Sequence, residues 1–482
     1  MINGFKRFME WTNMQLTKTE RILSIFTEVR AGEGYTAILM FTNVFLLLCA
    51  YYFIKPLREG WVAVSDISGL SKMEVRAYSS FAQSLLLLFL VGWYGRLATY
   101  CSRVSLITRA TLFCIATMVI FWFLQPGFFI ENLPASGIIF YLWASMFGVF
   151  VIAQFWTFCA DIYTDESGKR LLPLIAIGGT TGAAAGSGMV GLFVNTGIIP
   201  TESLLLIATL PLFISIKLTR IVDARHRNKV LTTMGNSSVE APTPLTDNKH
   251  MGSIFSAAKL VFISRFLLLA ALVTLLTNWV NTNGENLLFR VVQETLTNLA
   301  AEQEITDSQK ILEFTRDGTT AFYGDFYFWV NIIALFLQSF IASRLLKLGG
   351  FGVILMMLPV IALISYTAMA LLPVLAIVKI MKIAENATDY SINNTARHVL
   401  WLPIDTTMKF IGKPAIDTLY VRVGDGLAAV TVLIGVQMLA LSTTQFFIFN
   451  ISLVVLWLFC GILLVREYNK ASLATNVSVS KV

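Results

Sequence analysis

Apolar residues in this chain come in long unbroken runs, not in alternation with polar ones. A helix needs about 20 predominantly apolar residues to cross a bilayer. Runs of that order lie at 35–64, 77–95, 104–124, 136–159, 171–195, 202–221, 258–293, 321–343, 350–370, 372–395, 415–440 and 444–465. A membrane β-barrel would be written as short alternating segments instead. The pattern therefore predicts an all-α polytopic membrane protein of about twelve transmembrane helices. One long polar break, 222–257, has linker chemistry: Arg225, His226, Arg227 and Lys229, then Gly235, Asn236, Ser237 and Ser238, then Pro242 and Pro244. It divides the helices six and six, into an N-terminal bundle (35–221) and a C-terminal bundle (258–466). Residues 1–34 precede them and a tail, 467–482, follows.

The two halves match in kind. Gly95-Arg96-Leu97 is answered by Ser343-Arg344-Leu345, and Lys169-Arg170-Leu171-Leu172-Pro173 by Arg397 through Pro403. Offsets of about 230–250 positions indicate a pseudo-repeat. Six-plus-six helices joined by a basic linker is the layout of major-facilitator-like secondary transporters, whose substrate site lies near the midplane between the halves. Gly178, Gly182 and Gly186 recur every four residues in the fifth helix. Such spacing permits close backbone packing, either static or as a sliding surface. The stretch 294–320 reads as a polar outer loop, with Asp307 placed to cap a short surface helix.

Composition agrees with a lipid setting. Only 13% of residues are charged, against roughly 25% in soluble domains, and the mean hydropathy is +0.71. Lys and Arg gather on one side of the runs: Arg96, Arg103, Lys169, Arg170, the 220–259 linker, Arg344, Lys347, Arg397, Lys409 and Lys413. Loops 125–135, 196–201 and 440–444 have none. The positive-inside rule then puts both termini in the cytoplasm. The same bias accounts for the net charge of +7, so the charge is no sign of a nucleic-acid partner. Residues 1–34 lack the h-region and cleavage site of a signal peptide. They read equally well as an interfacial amphipathic helix or a plain cytoplasmic extension. The five cysteines have no metal-ligand spacing and read as packing residues. No metal site, cofactor motif or catalytic motif is present in the sequence, so an enzyme is not expected.

Ionisable groups inside membrane helices are costly and mark function by default. Lys55, Arg58 and Glu59 fall in the first helix, and Asn281, Asn283, Glu285 and Asn286 in the seventh. Lys379, Lys382, Glu385 and Asp389 share one face of the tenth helix, about 120° wide at 100° per residue. Asp417, Arg422 and Asp425 lie in the eleventh, while Asp161, Lys169 and Arg170 sit at the inner membrane edge. Each cluster reads either as a substrate or gating group or as a pair that stitches helices together.

Several strings carry a resemblance: Lys55-Pro56-Leu57-Arg58-Glu59, Phe155-Trp156-Thr157-Phe158 through Asp161, and Lys169 through Leu174. Asp389-Tyr390-Ser391-Ile392-Asn393-Asn394 leads to Leu402-Pro403-Ile404-Asp405, then Lys413 through Asp417 and Val423-Gly424-Asp425. The chain resembles the ATP/ADP translocases of plastids and intracellular bacteria. That resemblance implies a twelve-helix carrier exchanging nucleotides by alternating access, in a bacterial inner membrane. It places the family's basic residue of the first helix on Arg58 and its glutamate of the seventh on Glu285. Two positions depart: Ser145 stands where the family has a glutamate, and Asp389 where it has a lysine. The substrate expected is a small molecule, a nucleotide with fewer phosphates being one option. Its candidate ligands are Lys55, Arg58, Glu59, Asn283, Glu285, Lys379, Lys382, Glu385 and Asp389. Candidate gating residues are Asp161, Lys169, Arg170, Arg397, Arg422 and Asp425. A proton-coupled or facilitated carrier of another small organic solute is the alternative. Membrane lipid is the other partner, no cofactor is expected, and the chain reads as a monomer.

Overall fold

The structure, a computed structural model, describes residues 16–24, 27–97, 103–126, 135–234, 261–262, 264–404 and 406–479. Among these there is no β-strand, and twelve long helices run in chain order. The first six are α1 (Gly34–Val64), α2 (Lys72–Leu97), α3 (Arg103–Phe123), α4 (Ser136–Ile162), α5 (Asp165–Thr196) and α6 (Thr209–Met234). The last six are α7 (Arg265–Glu302), α8 (308–349), α9 (351–371), α10 (375–399), α11 (406–438) and α12 (Thr443–Val479). Nine stretches of the described residues are apolar and long enough to cross a membrane. One of them, Ser308–Leu371, is α8 and α9 together. Gly350 separates the two with φ 67° and ψ −170°, a backbone geometry open to glycine at no steric cost. Helices α2 and α10 bring the count to twelve, and α10 carries Lys379, Lys382, Glu385 and Asp389 in its interior.

Several boundaries differ from the hydropathy reading. Residues 294–320 are not an outer loop. Helix α7 runs on to Glu302, and α8 starts at Ser308 under an Asp307 cap that accepts from the Gln309 and Lys310 amides at 2.9 and 3.2 Å. Hydropathy finds only the part of a helix that meets lipid; a polar helix end is set by capping. For the same reason α6 extends into the expected linker as far as Met234, and α12 into the expected tail. The rest of the linker and residues 1–15 lie outside the described residues. Residues 16–33 dock on the protein: Leu23 and Val29 pack with Ala37 and Leu171, and Arg170 reaches Glu33 through two bonds of 3.0 Å.

Buried apolar side chains form two large clusters. One is confined to residues 39–222 and the other is drawn mainly from 261–464. Helices α5 and α8, and likewise α2 and α11, pack across the two groups of six. The glycine stripe is used within the first group. A Cβ on Gly178, Gly182 or Gly186 would run into the carbonyl of Phe41, Phe45 or Cys49 of α1, respectively. Crossing to α8 falls to another pair, Gly191 against Gly324. Cys49, Cys114, Cys159 and Cys460 are free and buried, as packing residues should be.

Among the described residues, four π-turns interrupt the last six helices: Leu337–Ile341, Asp389–Asn393, Ile416–Tyr420 and Ile434–Met438. The first two, in α8 and α10, pack against each other.

Candidate functional site

The charged residues of α1, α7 and α10 meet, together with α2, in one buried network. Pro56 lies inside α1 there and, lacking an N–H, makes no helix hydrogen bond of its own. Glu59 is fully buried and accepts from Arg58 Nη2 at 2.5 Å and from Arg76 Nε at 2.8 Å. Arg58 also reaches Ser145 Oγ at 3.1 Å and stacks 4.2 Å from the Tyr141 ring. Arg76 crosses to α7, donating to Asn286 Oδ1 at 2.7 Å and standing 3.6 Å from Glu285 Oε2. On the far side Lys382 lies 3.8 Å from Glu285 and 2.9 Å from Glu385. Asn386 donates to Glu285 at 2.7 Å, and the Tyr366 hydroxyl to Glu385 at 3.2 Å. Three cations and three carboxylates thus run in one chain from the first six helices to the last six. Buried charges are tolerable only when paired in this way.

Lys55 differs from the rest. Among the described residues no carboxylate lies within ion-pair distance of it. Its ammonium stands over three tyrosine rings, 3.9 Å from the centroid of Tyr327, 5.1 Å from Tyr52 and 6.0 Å from Tyr390. A cation held by ring faces keeps its charge available to an arriving anion.

The other candidates lie apart from this network. Asn283 faces α12, donating to Asn450 at 3.1 Å. Lys379 pairs with Asp325 of α8. Asp389 accepts from Asn393 at 2.6 Å within its own π-turn. Of the gating candidates, Arg170 holds Glu33 and the Glu28 carbonyl. Arg397 pairs with Asp417 of α11 at 3.3 Å. Arg422 and Asp425 pair at 3.2 Å, and both also bond Ser84 of α2 across the two groups. Asp161 and Lys169 lie at the junction of α4 and α5, Lys169 beside a cavity described below. Sequence reasoning missed Arg76, Tyr366, Asn386 and Tyr141. Arg76 escaped because the apolar run begins at 77, which made it look like an edge charge.

The two faces of the helix array are built differently. At the face opposite the start of α1, Arg316 of α8 is buried and pairs with Glu202, in the Thr201–Ser203 turn that leads into α6. Arg316 also donates to the Pro126 carbonyl at 3.3 Å. Gln437 of α11 donates to Glu74 of α2 at 2.8 Å and to the Gly69 carbonyl at 3.2 Å. A depression of about 710 Å³ lies on this face, lined by residues including Lys72, Arg290 and Glu294. At the face where α1 starts, the pairs Arg170–Glu33, Arg397–Asp417 and Lys413–Asp417 each stay within one group of six. Here a cavity of about 610 Å³, reaching Thr164, Gly168 and Lys169, shares Trp156 and Ala176 with a deeper one of about 220 Å³. The deeper cavity ends at Tyr52 and Tyr390, beside Lys55.

Twelve membrane helices with paired charges between two groups of six define a secondary transporter. The fold is that of a bacterial homologue of the human lysosomal transporter Spinster, solved inward-facing and unoccupied. That match has 13% identity and a TM-score of 0.52, covering 91% of this chain and 98% of that one. An auto-inhibited POT-family peptide transporter matches at 13% identity and TM-score 0.59, over 90% and 97%. The nucleoside transporter NupG, solved as a point mutant, matches at 14% and 0.51, over 89% and 99%. No curated protein sequence matches the chain. The model of the TLC ATP/ADP transporter family matches residues 135–468. The chain belongs to that family, a family of carriers and not of enzymes.

Proposed function

We propose that the chain exchanges nucleotides across a bacterial inner membrane by alternating access, with the substrate bound where α1, α2, α7 and α10 meet. One observation carries this reading: Arg76 is bonded at once to Glu59 of α1 and to Asn286 of α7. The charge network therefore ties the two six-helix bundles together. A nucleotide needs cations for its phosphates, and Arg offers bidentate contacts. Phosphate arriving at Lys55, Arg58 and Arg76 displaces Glu59 and Glu285 from their partners and loosens the tie. An unloaded carrier keeps its ion pairs and does not reorient, so transport is exchange: a ligand shifts the equilibrium only through what it binds differently in the two states. The Lys/Arg bias supports cytoplasmic termini. The cavity that reaches Lys169 then opens inward while the Arg316–Glu202 face is tied, an inward-facing state. The working unit is a monomer.

Proteoliposomes test this. Uptake of labelled nucleotide that requires unlabelled nucleotide inside supports exchange. Uptake driven by an acid-outside gradient alone supports a proton-coupled carrier instead. No uptake of any nucleotide by folded protein removes the proposal.

A further inference from the structure

We infer that Lys72 of α2 and Arg290 of α7 form a second anion site, on the face opposite the start of α1, where the phosphates of a nucleotide are caught before they reach Arg76. This rests on the reading of the chain as a nucleotide carrier. The site is the depression of about 710 Å³ on that face. Ser71, Lys72 and Met73 line it from the first six helices, and Arg290, Gln293 and Glu294 from the last six. It therefore covers the seam between the two groups, the way in for a substrate held between them.

The register of the two helices links the depression to the buried network. Arg76 of α2 donates to Asn286 of α7 at 2.7 Å. Lys72 precedes Arg76 by four residues and Arg290 follows Asn286 by four, so each shares a helix face with the residue it flanks. Lys72 and Arg290 line one depression, so the two helices run in opposite directions here. Both cations then stand about 6 Å along the helix axes from the Arg76–Asn286 contact, toward the same face.

Both cations are held by partners that an arriving anion can replace. Lys72 donates to the Ser65 carbonyl at 2.8 Å and to Asp66 at 3.3 Å, and the Asp66 side chain is 87% exposed. Arg290 donates through Nε to Glu294 at 2.8 Å and through Nη1 to the Leu441 carbonyl at 3.2 Å. Its Nη2 has no acceptor among the described residues. The Phe446 ring, 5.7 Å from the guanidinium, backs the side chain. Glu294, 50% exposed, is the one carboxylate among the described lining residues. Exposed pairs of this kind are weak, so Asp66 and Glu294 can turn to water when phosphate takes their place. An ammonium and a guanidinium are the groups that hold phosphate. The start of α2, at Lys72, adds the positive end of a helix dipole.

Purified full-length protein carrying Asn298→Cys, a change at an exposed lining position, tests the site through the rate at which a thiol reagent labels residue 298. ADP at about ten times its half-protecting concentration should slow labelling about tenfold, by mass action. Inorganic pyrophosphate should protect as well, and adenosine should not, because the site reads phosphate. Lys72→Gln or Arg290→Gln should abolish protection, whereas Arg58→Ala, which acts on the central network, should leave it. Glu294→Gln should lower the ADP concentration needed, since it frees Arg290, and it carries the test if thermal melting shows that either cation variant fails to fold. Labelling that neither ADP nor pyrophosphate slows overturns the site. So does protection by adenosine alone, or protection lost in Arg58→Ala and kept in Lys72→Gln and Arg290→Gln. In each of those cases, nucleotide exchange by the same protein in proteoliposomes leaves the carrier reading standing. A protein that exchanges no nucleotide overturns that reading and, with it, the part of this site in transport.

Discussion

Arg76 is a buried cation of the centre: only 3% of it is exposed, and it bonds groups on two other helices. Removing it leaves Glu59 with Arg58 alone and Glu285 with Lys382 at 3.8 Å. Breaking a buried pair by deleting one partner costs about 3–5 kcal/mol. Arg76→Ala is therefore expected to lower the melting temperature and to cut nucleotide exchange at least about tenfold. Adding Glu59→Gln also takes from Arg58 its one carboxylate partner, so it should recover neither the stability nor the transport. Recovered transport in the double variant would mean that the pair only stitches helices together. Lys55, Arg58, Glu59, Glu285, Lys382 and Glu385 were legible in the sequence because a charge inside an apolar run is conspicuous. Tyr366 and Tyr141 were not, since a tyrosine in such a run looks the same whether it bonds a carboxylate or merely packs. Ser145 touches Arg58, and Arg58 has Glu59 as its one carboxylate partner among the described residues.

At the scale of elements, hydropathy located the twelve helices but not their ends. Helices α7 and α8 project past the apolar run because Asp307 caps a polar helix start as readily as an apolar one. The π-turns carry no sequence mark at all. The two in α8 and α10 pack against each other, a contact that a single-helix pattern does not encode. The segment before α1 behaves as an element of its own, clamped by Glu33 and Arg170. Burial opposes the Glu33 charge, but hydrogen bonds from the Arg170 side chain and the Arg30 amide outweigh it and hold the carboxyl below its usual 4.5. A carboxylate lowered on folding contributes stability above its ordinary value and loses it as pH falls through the lowered one. Protection of the amides of residues 27–33 against hydrogen exchange, relative to the intrinsic rate at each pH, is expected to stay high from about pH 8 down to about 5 and to fall only in more acid solution. Protection already lost at about pH 6 would show that the clamp does not hold the segment.

For the whole molecule, the asymmetry of the two faces sets the expected cycle. Arg316 with Glu202 ties α8 to the lead-in of α6 at one face, and opening that face requires the tie to break. Cysteines at Glu202→Cys and Arg316→Cys, joined by a cleavable bifunctional reagent, should stop exchange, and cleavage should restore it. Exchange that continues in fully joined protein would show that this face stays shut throughout the cycle. Six-and-six organisation was readable in the linker and the offsets; which face is tied was not, because it depends on partners more than a hundred residues apart.

The seam between α1 and α5 limits how that motion is shared out. Three glycines of α5 sit like notches on three successive carbonyls of α1, four residues apart on both helices. Four residues span about 6 Å of helix, so any shorter slide drives a side chain into a carbonyl. The seam is a detent: α1 and α5 travel as one beam, and the cations on α1 ride with it. Spin labels on the two helices should keep a constant separation in every state, while labels across Gly191 and Gly324 record the stroke.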